Sequence, residues 1–458
     1  MNSTARVQPE ERRADPAHAE LVNRIASEIR ARAEAGEPLH IYKGGVHHFV
    51  PLPRDRRFQG RRVDISALNR VIEIDPVGRT CIAEPGITFA ELVKATLQHG
   101  LLPTVVPELE GITLGGAVAG CSVESMSYRY GGFHDSCLEY EIVSTSGEIV
   151  HCSPQKEPLL FDMIHGSYGT LGVLTSLTFK LIPAERFVHL VYRTFSTAAE
   201  YETEMRARVA AADFDFIDGI IHSRTEYVLC LGRFAKSAPY TSNYRWLHIF
   251  YKSTRTRSED YLATEDYLFR YDTECHWLTK TVPPLEWKAV RFAIGKFCLG
   301  STKLIRWSAL LEPILKLKKR PDVVVDVFIP IKRLTDFFDW YHATMQFYPL
   351  WIVPYRIAQP YPWISAEHAA QFSDDLFVDC AVYGKRNSDP QIDYSQLIED
   401  KTYELGGLKT LISRNHHSRE QFWKIYHQQN YQTAKRRLDP KGAFPALYEK
   451  FHQEVRQG

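Results

Sequence analysis

The sequence predicts an α+β fold in two large units followed by a C-terminal segment. Three observations lead there. Glycines cluster four times between residues 43 and 173, each time at the end of an expected strand or the start of a helix: KGGV, TLGG, YRYGG and GTLGV. Short β-rich runs surround a well-signalled helix over the same stretch. Beyond residue 185 the composition turns to aromatic-rich strands joined by helices, a strand–helix–strand pattern that belongs to α+β architecture.

A chain of 458 residues has room for two or three domains, at ~100–200 residues each. A net charge of +1 removes the broad basic footprint of a nucleic-acid binder. No apolar run is long enough to span a bilayer. The first twenty residues are too charged for a signal peptide, so the expected compartment is the cytoplasm. The eight cysteines are scattered, with no C-x-x-C pair. They read as small buried side chains rather than zinc ligands or a redox pair.

Residues 16–34 predict an amphipathic helix, with Leu21, Ile25 and Ile29 at spacing four and GEP as its stop. HIYK (40–43), VIEID (71–75) and TCIAEP (80–85) predict strands. Residues 88–100 predict a second helix: Thr88 and Glu91 form a capping box and Gly100 ends it. EYEIVSTSGEIVHCSP (139–154) predicts a hairpin turning at Ser146–Gly147. Residues 169–184 predict a glycine-rich turn running into a long strand closed by Pro183. The expected boundaries are 1–185, 186–400 and 401–458. In the second unit, 323–331, 348–357 and 375–384 read as strands, with a helix over 334–347.

Close glycines let backbone N–H groups approach a phosphate with no Cβ in the way. Gly111, Gly115 and Gly116 are the candidate donors. GGAVAG lacks the third glycine of G-x-G-x-x-G, and no G-K-[ST] follows, so neither standard nucleotide loop is present. One such cluster could be a tight turn packing a helix on a strand. Four clusters suit an extended ligand gripped along its length, a dinucleotide with a pyrophosphate at its centre.

Residues 40–184 resemble the FAD-binding domain of the vanillyl-alcohol-oxidase/PCMH flavoprotein superfamily. The motifs are the first glycine pair, AEPGITFAELVKATLQHGLLPTVVPE, TLGGAVAG, YRYGG and GTLGVLTSLTFKLIP. VPELEGITLGG, SVESMSYRYG, SREQFW and AFPALYEK resemble, more narrowly, the delta-24-sterol reductase (seladin/diminuto) family, from about residue 20 to 455. Eukaryotic members carry an N-terminal membrane anchor. No such stretch is read here, which leaves open a substrate other than a membrane sterol.

The resemblance implies a PCMH-type domain holding FAD. Gly44, Gly45 and His47 would form the first phosphate turn. Pro107, Leu114, Gly115 and Gly116 would follow the pyrophosphate and ribityl chain. Ser122, Glu124, Ser125, Tyr130 and Gly131 would lie near the flavin, and Gly169, Thr170, Gly172 and Val173 would close over the cofactor. Relatives that tether FAD use a histidine directly after the first glycine pair. Val46 stands there, so the expected FAD is non-covalent.

Flavin chemistry asks the protein to place a substrate and manage a proton. Phe328, Tyr348, Trp351 and Tyr355 are candidate walls for an apolar substrate, or plain core. Arg356 could anchor a polar end or sit in a surface ion pair. In related oxidases a C-terminal turn returns to the flavin; here it would hold Arg414, Asn415, His416 and His417. Histidine donates protons near neutral pH, and arginine could stabilise an anionic reduced flavin. Glu124 is either a raised-pKa acid or an orienting group for Arg129 or Tyr130. His47–His48 lack a third ligand at useful spacing, so no metal is expected. Residues 303–320 could lie on a membrane surface or form an ordinary surface helix broken at Pro313.

The expected reaction is reduction of an isolated C=C bond of a sterol or isoprenoid-like molecule. NADPH would be the hydride source, and His416, His417 or Glu124 the acid. No second nucleotide fingerprint occurs, so NADPH would visit the flavin face and leave before substrate enters. The alternative is an oxidase or dehydrogenase of an alcohol.

Overall fold

A computed structural model describes residues 15–44, 56–311, 322–357, 359–389 and 391–452. Gly45, His47 and His48, and the end of the 303–320 stretch from residue 312 on, lie outside the described residues.

Helix Pro16–Glu34 opens the described chain, capped by Asp15, whose side chain accepts from His18 N. Strands β1 (Leu39–Tyr42) and β2 (Arg61–Asp64) pair in parallel. Then follow β3 (Val71–Asp75), β4 (Thr80–Ala83), β5 (Leu101–Pro103), β6 (Cys137–Val143), β7 (Ile149–Cys152) and β8 (Val173–Pro183). Their sheet runs β3-β4-β8-β6-β7, with β5 paired to the end of β8. Its central strand, β8, is β-branched-rich and covered on both faces, so its burial does not alternate. The helix expected over 88–100 is Phe89–Leu97, with both halves of the Thr88–Glu91 capping box made.

At Pro183 the chain changes sheet. β9 (Phe187–Phe195), β10 (Phe216–Ser223), β11 (Glu226–Ala235), β12 (Glu259–Ala263), β13 (Val323–Pro330), β14 (Leu350–Arg356), β15 (Leu376–Lys385) and β16 (Leu408–Lys409) form one sheet. Its order is β12-β9-β11-β10-β14-β15-β13-β16. The strands expected over 323–331 and 348–357 are present but are not neighbours: β15 lies between them, antiparallel to both.

Strand alternation divides this sheet's side chains. Val325, Val327, Ile352, Val378, Cys380 and Val382 pack with helices Ala198–Ala211, Leu334–Thr344 and Tyr394–Glu404 in one core. Trp351, Val353 and Ala381, on the other face, join the core of the N-terminal unit. The chain beyond β16 crosses back to that unit: Thr145 N donates to Leu438 O at 2.8 Å, Tyr431 OH to Thr170 Oγ1 at 2.9 Å, and Lys450 Nζ to Tyr168 O at 2.6 Å. All eight cysteines are free, five of them buried.

The first helix is tied down by charge. His18 Nδ1 lies 2.8 Å from buried Glu84 Oε1 and Nε2 lies 3.1 Å from Glu141 Oε1. Burial opposes a charged ring, but hydrogen bonds with Glu141 and Glu84 outweigh it and raise its pKa to about 9. A raised folded pKa stabilises fully below the unfolded value near 6.5 and is lost as pH rises through about 9. His18→Gln is therefore expected to lower the thermal midpoint at pH 6 and to leave it nearly unchanged at pH 10. Equal losses at both pH values would exclude a charged His18.

Candidate functional site

The glycine clusters do different physical work. Gly44 follows β1 at φ +72°, and a Cβ there would stand 2.9 Å from Ser66 Cβ. A Cβ on Gly115 would meet Pro85 Cβ at 2.7 Å, so that glycine permits close packing. Gly116 is different. Its hydrogen points at polar atoms, and a Cβ would lie 3.1 Å from Thr113 Oγ1 and 3.3 Å from Lys43 Nζ. Among the described residues, Lys43 has one hydrogen bond, donated to Thr113 Oγ1 at 3.1 Å, and no carboxylate partner. Burial pushes its pKa down to about 8. An ammonium with no carboxylate partner among the described residues, beside a glycine-lined surface, fits an anionic ligand.

The other predicted cofactor residues surround this cradle or brace it. Pro107 and Leu114 are buried. Gly131, at φ +76°, belongs to a turn held by Asp135, whose Oδ2 accepts from Gly132 N at 2.7 Å. Ser122 O accepts from Phe133 N, and half-buried Tyr130 ends a single helical turn. Gly169 has φ +68°, and Gly172 approaches Ile142 Cγ2 and Val143 O so closely that a Cβ would stand 3.0 Å from each. Buried Thr170 donates to Ser167 O, and Val173 starts β8.

Between the two sheets lies a buried polar layer. Glu124 meets Arg270, not Arg129: Arg270 Nη2 donates to Glu124 Oε1 and Asp218 Oδ2, each at 2.8 Å. Arg129 pairs instead with Asp215 and the Ala212 and Phe214 carbonyls. Burial lifts Glu124 to about 7 against the pull of Arg270. Its second oxygen takes the Ser125 hydroxyl, and Tyr267 OH donates to Ser125 Oγ at 3.2 Å. Trp351 Nε1 and Tyr271 OH donate to Asp218 Oδ2 at 3.0 and 2.9 Å.

A second group lies alongside. His276 Nε2 is 2.7 Å from Glu108 Oε1, and the His276 ring packs on Trp351 and Tyr383. Asp326 on β13 receives the Tyr383 hydroxyl and the Thr410 hydroxyl. Asp379 on β15 sits opposite Phe328 and two residues from Asp326's partner Ala381, so both aspartates share one face. Asp379 is 2% exposed, and its Oδ1 has no hydrogen-bond partner among the described residues. Burial raises Asp326 to about 6, opposed by the Tyr383 hydrogen bond. Burial also raises Asp379 well above the usual carboxylate range, helped by the charges of Asp326 and Glu108. Sequence reading passed over the roles of Glu108, His276, Asp326, Tyr383 and Asp379. The available signal was an aspartate set in each of two apolar strands, VVVDVFIP and LFVDCAVYG.

Of the expected substrate walls, Phe328, Trp351 and Tyr355 come to this face. Tyr355 OH is 2.7 Å from Tyr361 OH, which donates to Asp135 in the YGG turn. Tyr348 lies elsewhere, against His342 and Tyr341 on the helix-covered side. Arg356 pairs with Asp375 at the rim and donates to Tyr128 O at 3.4 Å.

The C-terminal turn is buried around Glu399. His416 N and His417 N both donate to Glu399 Oε1 at 2.8 Å, and Lys409 holds the other oxygen. Arg414 pairs with Asp393 at 3.1 Å, and His416 Nε2 lies 3.1 Å from Ser395 Oγ. Burial drives His416 down to about 4, so it is neutral at pH 7. Asn415 and His417 line a small cavity with Glu399, Lys409 and Tyr426. Tyr168 OH accepts from Leu411 N at 2.9 Å, linking this turn to the N-terminal unit.

Within this α+β fold, residues 17–153 match the family model described as an FAD binding domain. The chain is also similar over nearly its whole length to Delta(24)-sterol reductases, which bears out the family resemblance in its motifs. The Homo sapiens protein is 23% identical across 96% of this chain and 87% of its own length. The Arabidopsis thaliana protein is 24% identical across 88% and 78%. Cytokinin dehydrogenase 2 of Oryza sativa subsp. japonica is 26% identical across 43% of this chain and 38% of its own.

Proposed function

We propose that this FAD-dependent oxidoreductase reduces an isolated carbon–carbon double bond of a sterol or isoprenoid-like molecule, with NADPH as hydride source and FAD held non-covalently. Bound FAD would supply hydride transfer; Lys43, Thr113 and Gly116 would hold its diphosphate. A cytoplasmic setting with peripheral membrane contact is part of the same reading.

The carrying observation is the buried carboxyl of Asp379 on β15, whose Oδ1 has no hydrogen-bond partner among the described residues. An unactivated alkene accepts a hydride at one carbon only as a proton reaches the other. The product then gains both hydrogens, and the nicotinamide leaves oxidised. Such a site needs an acid that keeps its proton at neutral pH. Asp379 is the candidate: burial raises its pKa well above the usual carboxylate range, with Asp326 on the same face and the Glu108–His276 pair alongside. Glu124 is locked between Arg270 and Ser125, and His416 is neutral and held by Ser395, so each is a weaker donor. Phe328, Trp351 and Tyr355 give the same face an apolar surface that excludes water.

The likeness to cytokinin dehydrogenase 2 favours a second reading, oxidation of a substrate by the same FAD domain. Anaerobic stopped-flow absorbance separates the two. Bleaching by NADPH followed by recolouring with a sterol alkene is expected. Bleaching by an alcohol or amine and not by NADPH would overturn the reductase reading.

A further inference from the structure

Among the described residues, nine large apolar side chains are exposed, and seven lie between Leu278 and Trp307. They include Trp287 at 61%, Phe292 at 67% and Phe297 at 77%. Such a concentration is more than the scatter of single apolar residues usual on a monomer's surface.

The helix Lys288–Cys298 has its polarity reversed. Its central cation points inward: Arg291 is 1% exposed, with Nη2 donating to Glu274 Oε1 at 2.6 Å and to His248 O at 3.2 Å, and Nε to Trp246 O at 2.6 Å. Gly295 lets it close on the Trp246 ring. Phe292, Ile294 and Phe297 are left facing out. Phe292 stacks at its edge on Trp246, so the outward ring is held by the body of the protein. An ordinary surface helix turns its apolar stripe inward.

Charge selects the occupant. From Lys280 to Trp307 the sequence has six basic residues and one acidic. The acidic one, Glu286, already accepts from Tyr251 OH at 2.6 Å and Lys252 Nζ at 2.7 Å. Lys280, Lys288, Lys303 and Arg306 are exposed in the same stretch as the aromatic rings. Aromatic tips ringed by lysine and arginine suit the headgroup layer of an anionic bilayer. No helix among the described residues is long and apolar enough to cross one.

We propose that the face formed by residues 278–307 docks on an anionic lipid bilayer. It lies directly against the 270–277 segment, whose Tyr271, His276 and Trp277 pack on Trp351 and Tyr383 in the candidate site. Docking there would present the substrate wall to the medium in which an apolar substrate dissolves. This rests on the substrate reading above, but its test needs no turnover.

Flavin-loaded protein is sedimented with vesicles of phosphatidylcholine and of phosphatidylcholine mixed with phosphatidylserine. Binding to the mixed vesicles, weakened by salt, is expected. The Phe292→Ser/Phe297→Ser pair should lose roughly tenfold or more in vesicle affinity. Lys288→Glu/Lys303→Glu should lose the preference for phosphatidylserine. Yellow colour and circular dichroism report folding. Should the phenylalanine pair misfold, quenching of wild-type tryptophan emission by brominated lipid, lost in Trp287→Phe/Trp307→Phe, gives the same answer. No sedimentation with either vesicle overturns docking while NADPH bleaching stays unaffected. A wild-type dimer that the phenylalanine pair converts to monomer overturns it too, assigning the face to a second copy.

Discussion

Asp379→Asn is expected to slow alkene reduction by roughly 10²–10⁴-fold, the usual worth of a positioned acid, and to leave bleaching by NADPH near the wild-type rate. The two half-reactions differ in their need for a proton. Hydride passing from NADPH leaves no carbon waiting for one, whereas the alkene does. Asparagine suits the test because burial, Asp326 and Glu108 all raise the native group's pKa and so favour its neutral form. The change keeps size and neutrality and removes only the transferable proton. The pH profile adds a second reading. A protonated acid works below its pKa and fails as pH rises through it. Wild-type recolouring should therefore fall on the alkaline side, and the fall should be missing in the variant. Because Asp326 and Asp379 share a face, the titration belongs to the pair. A variant that recolours at the wild-type rate would return the role to Glu124.

The histidines of the C-terminal turn show how far local sequence reaches. RNHH was legible as a polar turn, and the structure does bring it back toward the N-terminal unit through Leu411 and Tyr168. Its immediate partner, Glu399, comes from a helix whose sequence carries no such sign. The two backbone N–H groups and Lys409 make that carboxylate the centre of the turn. The helices at 16–34 and 89–97 were readable because caps and spacing are written within a few residues. The polar layer was not, because Glu124 meets Arg270 and Glu108 meets His276 only after two sheets are packed face to face. The strands near 323, 350 and 376 were visible, but their order was not. It is that order, with β15 between β14 and β13, that puts Asp379 beside Asp326.

Gly116→Glu is expected to yield a folded, colourless protein. The site of the change explains both halves of that result. A side chain at 116 would start 3.3 Å from Lys43 Nζ and 3.1 Å from Thr113 Oγ1, which is tight but polar. A carboxylate there would neutralise Lys43, whose ammonium is destabilised by burial and, among the described residues, has no acidic partner. The apoprotein gains an ion pair for an ammonium that has no acidic partner among the described residues, so its thermal midpoint should hold or rise. FAD loses twice: its diphosphate forfeits the lysine and meets a new negative charge. One repulsion of this kind at about 4 Å is worth about 4 kcal/mol at an effective dielectric of 20, roughly a thousandfold in affinity. Gly116→Ala adds the same Cβ without the charge, so it should keep much of its colour. Lys43→Met should lose FAD affinity by the missing attraction alone. Flavin fluorescence of the filtrate after desalting measures all three. Full colour in Gly116→Glu would remove Gly116 and Lys43 from the diphosphate cradle. Equal loss in Gly116→Ala would show that shape, and not charge, excludes the ligand.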